Sequence, residues 1–282
     1  MAITRERKRF LDWSAHDIEQ RLLFPGGRFT DVNGLLSGIL AVVLTVSFYA
    51  LLLTPWLRGG YLDKLFNERG PTQHATAFLF FWCVVILVFK AEKLRFQRLA
   101  LGLVVIPDDV GFVLSRHTVS RVLDGIHDAV DDPRRFLLFN RLVVALSNLR
   151  NLGAVGDVDG ILRSQASQDE AAVDTSYSLM QGFVWAIPVL GFIGTVLGLS
   201  DAIGQFSGVL GAADDVSQIS TALKGVTSGL ATAFDTTLVA LVAALVVQLA
   251  MTVIRRNEDA FLDEVMEYGL RNVVGRLRMD RE

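Results

Sequence analysis

Between residues 228 and 236 the chain places Ser228, Thr232, Asp235 and Thr236 at spacings of three and four, which gathers them on roughly one face of a helix, with Thr227 and Thr237 widening the stripe. Hydroxyls donate and accept hydrogen bonds, so such a stripe can solvate a passing cation or a carboxylate that gains and loses a proton. The stripe lies inside an apolar run from Val226 to Ile254. An ionisable side chain at the centre of a membrane-spanning helix costs about 2.5–3.5 kcal/mol on insertion scales and marks an ion path or a protein interior. Asp235 is therefore read as an ion-handling residue, with a structural acid hydrogen-bonded to neighbouring threonines as the plain alternative. Each hydroxyl has a plain alternative too, a bond back to the carbonyl four residues earlier.

A second apolar run, Phe183 to Phe206, carries Thr195 at a comparable depth, so the two helices are expected to present a hydroxyl-lined seam. Gly194 and Gly198 form a GxxxG pair with Gly191 a turn earlier, small residues that let helix backbones approach where lipid supplies no hydrophobic drive. Pro188 removes a backbone hydrogen bond and is placed to kink that helix.

These two helices must be positioned by others. Mean hydropathy of +0.42 and 51% hydrophobic residues exceed what a water-soluble fold of 282 residues carries. A span needs about 20 mostly apolar residues, and four stretches qualify. The reading is an all-α membrane protein with four transmembrane helices, at 35–57, 72–89, 182–206 and 226–254, the second being the weakest because its uninterrupted apolar core runs only from Ala75 to Phe89. Between them lie an amphipathic cytoplasmic head (1–34), outer loops at 58–71 and 207–225, a cytoplasmic helical region (90–181) and a cytoplasmic C-terminal helix (255–282). The third and fourth helices extend into the cytoplasm. Lys and Arg are concentrated in the head (six), the middle region (eleven) and the tail (six), which by the positive-inside rule puts both termini in the cytoplasm.

The first span starts too far in and runs too long for a cleaved signal peptide. The head joins Arg5, Arg7, Lys8 and Arg9 to Trp13, Ile18 and Leu22, a pattern suited to the inner leaflet or to packing on the cytoplasmic region, and Thr30 or Asp31 is placed to cap the helix that follows. In the middle region Asp131-Asp132-Pro133 reads as a stop, a cap and an N1 proline, and Arg134, Arg135, Arg141 and Arg150 as a solvated face. One long helix is expected from Gln168 to Phe206.

The single cysteine, Cys83, reports nothing about redox compartment. No basic block points to nucleic acid, no glycine-rich phosphate loop is present, and Asp108-Asp109 and Asp131-Asp132 lack the His or Cys company of a metal site. No cofactor is expected and enzyme chemistry is not. A stepwise proton path needs protonatable groups in series, yet His16, His74, His117 and His127 all fall outside the apolar cores of the spans. A lone subunit is thus an incomplete conductor that needs a partner's carboxylate.

Trp185-Ala-Ile-Pro-Val-Leu-Gly-Phe-Ile-Gly-Thr-Val-Leu-Gly198 and Gly229-Leu-Ala-Thr-Ala-Phe-Asp-Thr-Thr-Leu238 resemble the signature of the MotA/TolQ/ExbB proton channel family, over roughly 170–260. The resemblance implies a homopentamer around two single-span partners of the ExbD, TolR or MotB type, with the third and fourth spans lining the pore and the partner's aspartate carrying the proton. Thr195 and Thr232 match the family's pore-facing threonines, and Pro188 its proline motif. Ser228, Thr236 and Asp235 are expected to line or flank the same path, with Pro188, Gly191, Gly194 and Gly198 packing the helices. Thr227 stands where the ExbB and TolQ branch has a glutamate, and four spans resemble MotA. The implied activity is that of the pore-forming subunit of a proton-motive-force motor in a bacterial inner membrane; a non-conducting membrane scaffold is the rival reading.

Overall fold

The computed structural model describes residues 11–22, 24, 26–55, 57–103, 105–106, 114, 116–152, 155–210 and 216–277. The basic residues Arg5 to Arg9 of the head lie outside them. Among the described residues the chain is helical, without a strand beyond two isolated bridges. Four helices are long and apolar enough to cross a membrane, the count reached from hydropathy.

The chain divides into two compact units. The apolar unit comprises residues 34–87 and 178–252. It contains α3 (Gly34–Leu52), α4 (Tyr61–Asn67), the first part of α5 (Pro71–Leu101), α9 (Ser178–Leu210) and most of α10 (Val216–Asn272). α5 starts on a proline whose missing N–H would have had no partner in the first turn anyway. Trp82 of α5 donates its indole N–H to Ser37 Oγ of α3 at 3.0 Å and packs its ring on Phe183 of α9, 4.8 Å between centroids. Ile187 of α9 meets Ala240 and Ala244 of α10, with Leu79 of α5 against them. At 57 residues, α10 spans about 86 Å at 1.5 Å per residue, well beyond the ~30 Å of hydrocarbon.

Two features of this unit add to the sequence expectation. The 58–71 loop contains α4, whose seven residues are too few to produce a periodic signal. The 207–225 loop is mostly helical, since α9 runs to Leu210 and α10 begins at Val216, with Ile219, Leu223 and Val226 continuing the apolar spacing of the span. Pro188 sits inside α9, within a continuing helix as the sequence reading had it.

The second unit comprises residues 1–33, 88–177 and 253–282. α1 (Trp13–His16) and α2 (Ile18–Arg21) pack with the rest of α5, α6 (Arg116–Ala129), α7 (Leu137–Leu152), α8 (Val155–Ser176) and the end of α10. Trp13 is 1% exposed, its ring edge-on to Phe136 and tilted against Phe96, so α1 packs into this unit, while Ile18 and Leu22 stay exposed. Asp131 accepts from the backbone N–H groups of Trp13 and Ser14 at 3.0 and 3.2 Å, which staples the head to the end of α6. Asp132 caps a 3-10 turn at Pro133–Arg135 and α7 follows, as the Asp-Asp-Pro pattern requires. The hydroxyl of Thr30, one of the two residues placed to cap the next helix, donates to Glu258. The helix expected over 168–206 is interrupted at Tyr177, whose N–H bonds back three residues to Asp174 O at 3.1 Å.

Candidate functional site

The GxxxG face of α9 is a seam with α10 of the same chain. At about 100° per residue, Gly229, Ala233, Thr236, Thr237 and Ala240 share one side of α10, which supplies the groove. A Cβ added at Gly198 would stand 2.6 Å from the carbonyl oxygen of Gly229, and one at Gly194 would stand 2.6 Å from Thr236 Cβ. One at Gly191 would meet Ala240 Cβ at 2.5 Å. Only hydrogen fits at these three positions, so the backbones of α9 and α10 come together as closely as two helices can.

Within this seam Thr195 and Thr237 meet. Their hydroxyls hydrogen-bond to each other, and each also reaches the carbonyls of Gly191 on α9 and Ala233 on α10, at 3.1–3.2 Å. Two hydroxyl protons serve four acceptors, so the cluster has donors and acceptors that can be redistributed without breaking the seam. Thr236 is 1% exposed, bonds back to Thr232 O at 2.9 Å and covers Gly194.

The remaining members of the sequence stripe point elsewhere. Ser228 is exposed, and Thr232 is half-buried with its hydroxyl bonded to Ser228 O at 3.0 Å. Ser228, Thr232 and Asp235 fall within about 60° of one another around α10, whereas Thr237 lies about 180° from Ser228. The single stripe of the sequence reading is therefore two faces. Thr195 is brought to Thr237 and not to Thr232, because a shared seam requires the small residues Gly229, Ala233 and Ala240, and Thr237 lies among them.

Asp235 meets a cation rather than a threonine. Its Oδ2 lies 2.8 Å from Nε of Arg69, in the segment that leads into α5, with about a fifth of each side chain exposed. The sequence assigned Arg69 to an outer loop and gave it no role. Nothing in local spacing links residues 166 apart, though an intramembrane acid without a neighbouring base was itself a signal to look for one.

The second unit holds three buried charge clusters that sequence reasoning missed. Lys90 and Glu258, each 1% exposed, lie 3.6 Å apart. Lys90 Nζ also donates to Ser176 Oγ at 2.7 Å and stands 4.2 Å over the Tyr177 ring. The carboxylate of Glu258 accepts from Tyr177 OH at 2.6 Å and from the Thr30 hydroxyl. Burial lowers the pKa of Lys90, a shift that Glu258 opposes, and burial raises that of Tyr177. One turn along α5, Lys93 pairs with Glu19 at 2.6 Å, lies 3.8 Å from Asp17, and donates to Asp31 O. Arg141, expected on a solvated face, is 2% exposed and bound to Asp169 at 2.7 Å. Among the described residues no group of His, Cys, Asp or Glu could hold a metal ion.

No curated protein and no solved structure matches this chain. Residues 141–267 match the family model described as the MotA/TolQ/ExbB proton channel family, a stretch that includes all of α8 and α9 and α10 as far as Glu267. With four apolar helices of spanning length among the described residues, the chain is a membrane protein, and the part of it from 141 to 267 is similar to the MotA/TolQ/ExbB proton channel family.

Proposed function

We propose that the chain is the pore-forming subunit of an ion-driven energy-transduction complex in a bacterial inner membrane, with both termini cytoplasmic. Five copies would surround the spans of two ExbD-, TolR- or MotB-like partners, each bringing one membrane aspartate. The observation that carries this reading is the division of α10 into two polar faces. Thr236 and Thr237 serve the seam with α9, while Ser228, Thr232 and Asp235 form a second polar face that the seam does not use. A span that only packed would have no use for the second face, since polar groups in hydrocarbon are costly unless they serve an ion or a partner.

In this mechanism the ion carrier is the partner's carboxylate, because Asp235 is already matched by Arg69. A hydroxyl donates to a carboxylate and accepts from a carboxylic acid, so Thr232 stabilises both states of the carrier and lowers the barrier between them. Each proton crossing 100 mV releases about 2.3 kcal/mol, enough for a few ions to drive a step of the subunits about the partner. Thr195 and Thr237 keep α9 and α10 at fixed spacing while the carrier moves.

The test is proton flux through vesicles holding the subunit with its single-span partner. Thr232→Val should leave assembly intact and reduce flux about tenfold or more, a loss of about 1.4 kcal/mol or more of barrier stabilisation. Full flux in an assembled Thr232→Val complex overturns the reading and leaves a scaffold held together by the seam.

A further inference from the structure

We infer that Arg69 is a selectivity residue, whose guanidinium occupies the one carboxylate in the apolar run of α10 from Val226 to Ile254, which would otherwise make a sodium site, and so leaves the path open to protons alone. The inference rests on the proposed function and adds the identity of the ion.

A lone carboxylate in an apolar helix with hydroxyl oxygens on the same face is a donor set for a hard monovalent cation, since carboxylate, hydroxyl and carbonyl oxygens are what such ions prefer. Asp235, Thr232 and Ser228 provide it, within about 60° of one another and within two turns of α10. Arg69 changes what the set can do. Its Nε lies 2.8 Å from Asp235 Oδ2, and both side chains are about four-fifths buried, so the pair is poorly screened by water. A guanidinium carries donors only, so it offers a cation no ligand, and its charge opposes that of the acid beside it.

The same arrangement does not stop a proton. Proton transfer needs hydroxyls or water that donate and accept in turn, and the hydroxyls of Ser228 and Thr232 stay in place on α10. A fixed positive charge beside a narrow path is also a general means of turning metal cations away. Asp235 on this account is the anchor for Arg69, and Arg69 positions the charge that sets selectivity.

The experiment uses complexes with the single-span partner in vesicles, driven by a proton gradient without sodium or by a sodium gradient at equal pH. The wild type should pass protons and give no sodium-driven flux. Arg69→Gln should gain sodium-dependent flux of about tenfold over that background, the size of effect that one uncompensated charge contact produces. Arg69→Lys, which keeps the charge, should stay sodium-blind, and Arg69→Gln with Asp235→Asn should lose the gained response. A purely structural ion pair would never produce a gain of sodium flux. Sodium-driven flux in the wild type overturns the inference, as does an Arg69→Gln complex that conducts protons and ignores sodium, or one that no longer assembles; in each case the proposed function stands. A wild type that passes neither ion overturns both.

Discussion

In the apolar unit the polar atoms withdrawn from water are, among the described residues, chiefly hydroxyls and backbone carbonyls, such as Thr195, Thr236 and Thr237 between α9 and α10, and one ion pair, Arg69 with Asp235. In the other unit they are full charges, with Lys90, Lys93, Arg141, Glu19, Glu258 and Asp169 all below a tenth exposed. The solvent around each explains the difference. A threonine hydroxyl can be satisfied by its own helix, so it needs no neighbour to be tolerated in lipid. A buried charge needs an opposite charge and hydrogen bonds from several directions, which only a surrounding of protein supplies. Glu258 illustrates this, since its partners Lys90, Tyr177 and Thr30 come from three separate stretches of chain. Each stretch continues in sequence into one of the apolar helices: Thr30 precedes α3, Lys90 lies on α5, Tyr177 precedes α9, and Glu258 itself is on α10. The apolar unit fixes its helices by shape, the charged unit by pairing.

The sharpest way to break this contrast is at the seam. Gly198→Leu puts a side chain into the backbone of Gly229 and Ala233, with nothing flexible to yield, and should cost more than about 3 kcal/mol. Gly204→Leu on the same helix meets open space and should be tolerated. Thermal unfolding of the purified subunit in detergent separates the two; equal losses would mean that the seam is not what holds α9 to α10.

In the charged unit, Glu258→Leu leaves Lys90 buried without its counter-ion and should cost about 3–5 kcal/mol, while Lys90→Met together with Glu258→Leu should cost less than either single change. A double variant no better than the singles would show that the pair contributes to stability rather than to the choice of partners. At the seam hydroxyls the effects are smaller. Thr237→Val should cost about 0.6–1.7 kcal/mol, and adding Thr195→Val should cost little more, since the two hydroxyls share one cluster.

What the sequence disclosed follows the same division. Twenty apolar residues in a row are a strong signal, so the four spans were legible, and the Asp132 cap was too because it acts within three residues. The ion-pair partners of Asp235, Glu258 and Arg141 were not legible, because they lie 166, 168 and 28 residues away and an ion pair leaves no periodic trace. Arg141 was read as solvated on the general habit of arginine, which burial beside Asp169 overrides. Thr237 was grouped with Thr232 because both lie in one hydroxyl-rich stretch; only the positions of Gly229, Ala233 and Ala240 on the opposite side of α10 separate them.

The smallest effect concerns Asp169, where the two tendencies of a buried pair compete directly. Desolvation raises its pKa above the ordinary 3.8, and the hydrogen bond and charge of Arg141 only partly oppose it. The folded chain then holds this proton more tightly than the unfolded chain does. Between 3.8 and the raised value the native state binds more protons, so stability falls as pH rises through that window and is level above it. Asp169→Asn does not titrate, so the stability of the wild type relative to this variant should decline as pH is raised from the usual carboxylate pKa and then stay constant. Unfolding midpoints of the full chain across that range read the sign directly. A wild-type advantage that grows with pH would mean that Arg141 outweighs desolvation, and that this pair, unlike Lys90 with Glu258, is held by attraction rather than merely tolerated for its partners.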